Sequence, residues 1–267
     1  MSFKIKEKKF YFHIDDFGVH KIINKQIANF VQINKVKGVS ILTHRGADFT
    51  YLHKIKKVDL SLHINLTSFQ KKTFSYLFLL LISAFPYFFK KQIEIIKKKI
   101  NYQITKFIKL GLNKSSILRI DGHNHIHVIP IVFSTYSKIL KEKKIKFNIR
   151  DSREKFIFFY SKLFFCNILL NYIKLAVIFF LSFFLLRKKQ NLFCSENFIG
   201  LICSGFYNNK SFKYFIKKIP KKKVTQFLLH PFQLNIKRTG DLKSNQYDYY
   251  FNKKREIEIE FLKKINI

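Results

Sequence analysis

The sequence predicts an α/β fold in which βα units surround a parallel sheet or barrel, built as one domain. Three observations carry this. Short β-prone apolar stretches alternate with segments of helical periodicity. The polar residues capable of chemistry fall at the ends of those stretches, as they do where strand ends converge on one face. A length of 267 residues, 48% of them hydrophobic, suits one large core.

Taken in order, Phe10-Tyr11-Phe12-His13-Ile14 is a short aromatic strand that ends in Asp15-Asp16-Phe17-Gly18. Ile23, Ile27, Phe30 and Val31 follow at helical spacing. Val39 to Thr43 reads as a second strand. From Val58 to Thr67 the residues alternate, with Val58, Leu60, Leu62, Ile64 and Leu66 on one face. Asp59, Ser61, His63, Asn65 and Thr67 share the other, so His63 points to a polar side. Residues 76–89 are nearly all apolar but are broken by Ser83 and Pro86. A membrane span needs about 20 apolar residues, which this run does not supply. Ile93, Ile96, Ile100, Ile104 and Ile108, set among lysines, predict an amphipathic helix.

Ile117 to Asp121 reads as a strand feeding Asp121-Gly122-His123-Asn124-His125-Ile126-His127-Val128-Ile129-Pro130, where Pro130 is suited to open a helix to about Lys143. Ile145, Phe147 and Ile149 alternate up to Arg150-Asp151. Residues 156–186 form a second apolar region, with Asn167, Asn171, Lys174 and Ser182 near one helical face. It reads either as an in-plane membrane helix flanked by Arg187-Lys188-Lys189 or as a core or lid helix. After a loop over residues 200–207, a helix is expected near Phe212 to Ile219. A strand from Val224 to Leu229 ends in His230-Pro231, and Glu256 to Lys264 is a charged helix.

The formal net charge is +35. Abundant Lys, Asn, Ile and Phe with scarce Arg, Gly and Pro match the coding bias of an AT-rich genome, which is the plainer reading of the charge. The functional alternative is attraction to an anionic membrane or polyanion. Arg-rich and RNP-like motifs are absent and the aromatics sit in apolar runs, so no specific nucleic-acid partner is expected. Cys166, Cys194 and Cys203 form neither a zinc-type pair nor an even framework, which suits a reducing compartment. The N-terminus shows no secretory h-region. A cytoplasmic protein, or one peripheral on the cytosolic membrane face, is expected.

If the strand ends converge, Asp15, Asp16, His63, His123 and His230 meet in space. One carboxylate and two imidazoles can hold a divalent ion, and a second carboxylate can take a proton from water. A histidine across the site can protonate a departing amine. Each residue also has a plainer explanation: adjacent acids often cap turns, and a strand histidine is often only hydrogen-bonded. His13, His20, His44 and His53 have no motif around them and read as structural or surface residues.

Four pieces of this chain together resemble the YdjC-like carbohydrate deacetylases, which include chito-oligosaccharide deacetylases and hopanoid-biosynthesis-associated members. They are Ile14-Asp15-Asp16-Phe17-Gly18, Ser61-Leu62-His63-Ile64-Asn65-Leu66, Asp121 through Pro130, and His230-Pro231, in family order. The chain departs from the family pattern at Ser61, Gln226 and Phe232. The resemblance implies a distorted TIM-like (β/α) barrel spanning 1–267. Its motif-bearing core covers about 10–232, with apolar helical insertions at about 76–89 and 156–186. It implies a metal site of Asp16, His63 and His123, with Asp15 as general base, His230 as acid, and His125 and His127 shaping the surroundings. The implied cofactor is a divalent metal ion, Mg2+ or Zn2+. The implied substrate is an N-acetylated sugar, and the apolar insertions extend that expectation to a glycolipid reached through peripheral membrane contact. A homodimer is the assembly kept open. Two other functions compete: a catalytically silent barrel that binds membrane or polyanion, and a metal-dependent phosphoesterase.

Overall fold

The computed structural model describes residues 3–5, 8–68, 73–113, 115–154, 165–189, 194, 196–202, 204–205, 207–232 and 253–265. Seven parallel strands make the sheet. They are β2 (Lys8–Phe17), β3 (Gly38–Ile41), β4 (Asp59–Ile64), β5 (Ile117–Gly122), β6 (Lys146–Ile149), β7 (Asn197–Ile199) and β8 (Thr225–Leu229). Their spatial order is β6-β5-β4-β3-β2-β8-β7, and β1 (Phe3–Ile5) adds antiparallel to β2. The sheet curls into a half-barrel of the TIM-like α/β kind. Just before β7, the Cys194 N–H donates to the Ile149 carbonyl of β6 at 2.8 Å, so the two outer strands approach each other. Inside the curl, Arg119 of β5 pairs with Glu196 at 2.8 Å, and the Tyr11 hydroxyl of β2 donates to the same carboxylate at 2.6 Å.

The helices are α1 (Lys21–Gln32), α2 (Leu52–Ile55), α3 (Tyr76–Ala84), α4 (Lys90–Lys109), α5 (Pro130–Glu142), α6 (Phe165–Lys189), α7 (Asn209–Lys218) and α8 (Lys253–Lys264). A 3-10 turn, Pro86–Phe89, joins α3 to α4. Most follow the periodicities above. In α4, Ile96, Ile100 and Ile104 are buried as expected, while Ile108 is partly exposed. Gln103 of the same helix is buried and clasps Asn65, its Oε1 accepting from the Asn65 N–H and its Nε2 donating to the Asn65 carbonyl, both at 2.8 Å. This fixes the outgoing end of β4, where His63 sits. The apolar side chains form one continuous core cluster.

Some expectations change. β2 does not stop at Ile14 but runs through the acid pair to Phe17. The second apolar region is a helix from Phe165, and its earlier part, 156–164, lies outside the described residues. That helix packs Leu175, Ile178 and Leu181 inward, and the Asn171 amide donates to the Ile202 carbonyl at 3.2 Å. Among the described residues no helix is long and apolar enough to cross a membrane.

Candidate functional site

Adjacent residues on a strand point to opposite faces, yet Asp15 and Asp16 are both buried and both reach the same histidine. An irregularity resolves this. The register between β2 and β3 shifts between Ile14 and Phe17, and Asp16 takes a left-handed backbone with φ 70°. A bulge of this kind re-aims a side chain, and the strain is the sort that functional sites store. Gly18 completes the turn with φ +108°, where an added Cβ would lie 2.6 Å from the Leu42 carbonyl oxygen.

Asp16 Oδ1 lies 3.2 Å from His63 Nε2 and 2.9 Å from His123 Nδ1. The three donor atoms lie within 4.8 Å of one another and all three residues are buried. A carboxylate and two imidazoles suit a divalent transition metal or magnesium-type ion. The orientation also fits. His63 Nδ1 donates to Asp121 Oδ1 at 2.6 Å, which turns Nε2 toward Asp16, where an ion could take the place of its proton. A carboxylate behind a histidine is the usual support for a metal-binding ring. Changing Asp121 to asparagine is therefore expected to weaken metal binding by about 10–100-fold, measured by competition with a chromophoric chelator.

A second buried group, His13, Asp15 and Asp121, has comparable spacing but already holds its own cation. Arg150, which directly follows β6, grips both oxygens of Asp15 at 2.8 and 2.9 Å and reaches Asp121 Oδ2 at 2.8 Å. The same guanidinium donates to Ser40 Oγ at 3.0 Å, and Ser40 donates to Asp121 at 2.6 Å. With its amide oxygen turned to Arg150, Gln226 accepts from Nε at 3.2 Å. His13 bonds to Ser40 at 2.7 Å, and Gly38 leaves room for its ring, since a Cβ there would meet His13 Nδ1 at 2.3 Å. These carboxylates are neutralised by the forked guanidinium, so of the two groups, that of Asp16, His63 and His123 is the one that could hold an ion.

The three alternate histidines do not share a face. The backbone turns into a 3-10 segment, His123–Val128, with Asn124 and His125 at φ 54° and 57°. His123 goes to Asp16, His125 Nδ1 meets Ser152 Oγ at 3.0 Å, and His127 Nε2 donates to the Arg150 carbonyl at 3.1 Å. His125 and His127 are both held neutral, pushed down to about 3 chiefly by burial.

Electrostatics follow the geometry. Burial alone would raise the Asp15 and Asp16 carboxyls, but Arg150 beside Asp15 and His123 beside Asp16 hold both well below the usual range. Burial works against a charged His63, yet the carboxylates of Asp15, Asp121 and Asp16 push it up to about 10. The signs differ. The acids stabilise the fold above their ordinary value of 3.8, and that stability is lost as pH falls through their depressed values. His63 stabilises fully below 6.5, and its contribution is lost as pH rises toward about 10. Metal-free protein is thus expected to lose thermal stability between pH 7 and 10, and metal-loaded protein to be spared that loss, because the ion replaces the His63 proton. Thermal melts at matched pH check this.

A cavity of about 540 Å³ opens over the centre. Asp15, His63, His123, His125 and His230 line its polar end, and α6 supplies Asn171, Ile173, Lys174, Val177 and Ile178. His230 follows β8, and its N–H donates to Glu258 of α8 at 2.5 Å. Burial, then the charge of Arg255, push its imidazole down to about 3. Arg255 also borders the cavity, 3.1 Å from Ser204 Oγ. Of the five residues singled out from the sequence, Asp15, His63, His123 and His230 line this cavity, and Asp16 lies behind it against His63 and His123. Arg150, Ser40, His13, Arg255 and Glu258 were not singled out. Position at a strand end is the one sequence signal that would have found Arg150.

A family model described as YdjC-like protein matches residues 9–265. No curated protein matches the chain. Among solved structures, a protein from Enterococcus faecalis V583, provisionally described as a cellobiose-phosphate cleavage protein, is 13% identical with a TM-score of 0.56. The match covers 96% of this chain and 90% of that one. At that identity the likeness is one of fold.

Proposed function

The chain belongs to the YdjC-like protein family, a family related to carbohydrate deacetylases, and on that footing we propose that it is a metal-dependent hydrolase removing acetyl groups from N-acetylated amino sugars. One observation carries the reading: Asp16, His63 and His123 form a three-donor cluster beside a buried anionic Asp15, at the wall of a cavity lined by Asp15, His63, His123 and His230.

A divalent ion held by Asp16, His63 and His123 would supply Lewis acidity there, lowering the pKa of water and polarising an acyl carbonyl. Asp15 lies beside the cluster, its Oδ2 3.9 Å from His63 Nε2. It takes the proton from the attacking water. Arg150 grips both Asp15 oxygens, holding the carboxylate in one orientation and keeping it charged. Both the grip and the low pKa make Asp15 a weak base at rest, so its reach to water depends on placement rather than on basicity. His230, across the cavity, is neutral at rest. As acid it must first take up a proton from solvent, matched by the one that Asp15 takes from water and later releases, and it then gives its proton to the departing amine. His63 is held by Asp121 and takes no part in proton transfer once its Nε2 is a ligand.

Product identity tests the reading. Metal-loaded protein is offered a chitobiose-type oligosaccharide, an N-acetylglucosaminyl lipid and a phosphomonoester side by side. Acetate from either acetylated compound supports it, and phosphate release with no acetate moves the chain to the phosphoesterases. His63→Ala and His123→Ala are each expected to come through dialysis without the equivalent of metal that wild type retains, as metal analysis would report.

A further inference from the structure

We infer that the cavity opens onto a lipid surface: two exposed apolar stripes, one on α3 with its 3-10 extension and one on α6, seat the protein in the plane of an anionic bilayer. The inference rests on the cavity being the substrate site, and it assigns that site a membrane-held substrate.

Both stripes start at the cavity. Tyr76, the first residue of α3, lines it, and so do Ile173 and Lys174 of α6. Beyond Tyr76, Leu77, Leu81, Phe85 and Phe88 recur every three or four residues on the outside of the molecule. Leu77 is 77% exposed, Phe88 78% and the neighbouring Tyr87 74%. On α6, Leu169, Ile173, Phe180 and Phe183 are exposed at helical spacing, while Leu175, Ile178 and Leu181 face the core. Each helix is thus apolar both inward and outward. Scattered exposed apolar residues are ordinary, but rows of them on two neighbouring cavity walls mark an interaction surface.

The charges around these rows select the occupant. From residue 75 to 109 the chain has seven lysines and one acid, Glu94, and α6 contains no acid at all. Lys90 and Lys91 are exposed beside the 3-10 turn, and Lys90 Nζ sits 4.5 Å from the Tyr87 ring centroid. Lys174 is exposed at the cavity rim. Apolar rows edged by lysines and by a tyrosine suit the boundary between acyl chains and anionic headgroups. A second copy of this chain would bring the same lysines against each other, which repels. With no spanning helix among the described residues, the helices lie on the bilayer and do not cross it.

The chain contains no tryptophan, so a single introduced one reports its own surroundings. Phe88→Trp and Phe180→Trp are compared with Ile33→Trp, an exposed position at the end of α1 outside both stripes. Full-length metal-loaded protein is mixed with vesicles of phosphatidylglycerol and phosphatidylcholine, and with vesicles of phosphatidylcholine alone. The first two variants are expected to shift to the blue on the anionic vesicles and Ile33→Trp to stay unchanged. The double variant Leu77→Ser/Phe88→Ser should bind those vesicles at least about tenfold more weakly, from the transfer free energy of two large side chains. Its turnover of a soluble acetylated oligosaccharide should match wild type. Binding with no blue shift in either stripe would reduce the interaction to bulk charge and overturn the inference. So would a lipid-free, concentration-dependent shift, which would give the stripes to a second copy, and so would no vesicle binding. If docking holds and no acetylated compound yields acetate, the proposed chemistry fails and the docking surface stands.

Discussion

Replacing Arg150 with methionine is expected to destabilise the protein by about 3–5 kcal/mol, measured by urea unfolding followed in the far-ultraviolet. The guanidinium is 4% exposed and makes three contacts of 2.8–2.9 Å to the carboxylates of Asp15 and Asp121. Without it, both acids remain buried with one cation fewer. The cost is that of uncompensated charge more than that of lost attraction. Arg150→Lys should recover only part of the loss, because an ammonium cannot hold both oxygens of Asp15 while reaching Asp121. A methionine variant within about 1 kcal/mol of wild type would match a solvated surface pair and would contradict this account of the cluster.

Asp15→Asn is expected to lower acetate release by about 10²–10⁴-fold, the usual contribution of a positioned base, while leaving bound metal unchanged. The asparagine still offers Arg150 one oxygen but cannot take a proton from water at neutral pH. Retained metal separates this outcome from a collapsed site. Asp16→Asn should do the opposite, losing metal and activity together, because Asp16 Oδ1 is the atom both histidines approach. Comparing metal content and turnover in the two variants distinguishes the roles of these adjacent acids.

Much of the scaffold was legible because its signals are local. The helical spacing of Ile23, Ile27, Phe30 and Val31, Pro130 as a helix opener, and the alternation around His63 each depend on nearby residues. So does the rule that chemistry gathers at strand ends, which brought Asp15, His63, His123 and His230 to one cavity with Asp16 behind it.

What stayed hidden depends on contacts distant in sequence. Arg150 is one of 51 Lys and Arg residues, and its place at a strand end does not by itself name the two buried acids it pairs with. The spacing of the three alternate histidines does not say where His125 and His127 point; left-handed residues at Asn124 and His125 send the three to different partners. The last helix read as a charged tail, yet Arg255 and Glu258 are buried behind the loop at Gly205 and the backbone of His230. Charge pattern alone cannot separate a solvated face from one that pins a site. β7 and α2, of three and four residues, are too short for periodicity to register.

The most direct test of the central claim is acetate release from a chitobiose-type oligosaccharide by wild-type protein, before chelation, after chelation, and after one equivalent of zinc or magnesium is restored. The proposed metal site of Asp16, His63 and His123 predicts activity that disappears with the ion and returns with it, and no return in His63→Ala. Acetate release that persists in fully stripped protein, or that returns equally in His63→Ala, would contradict it.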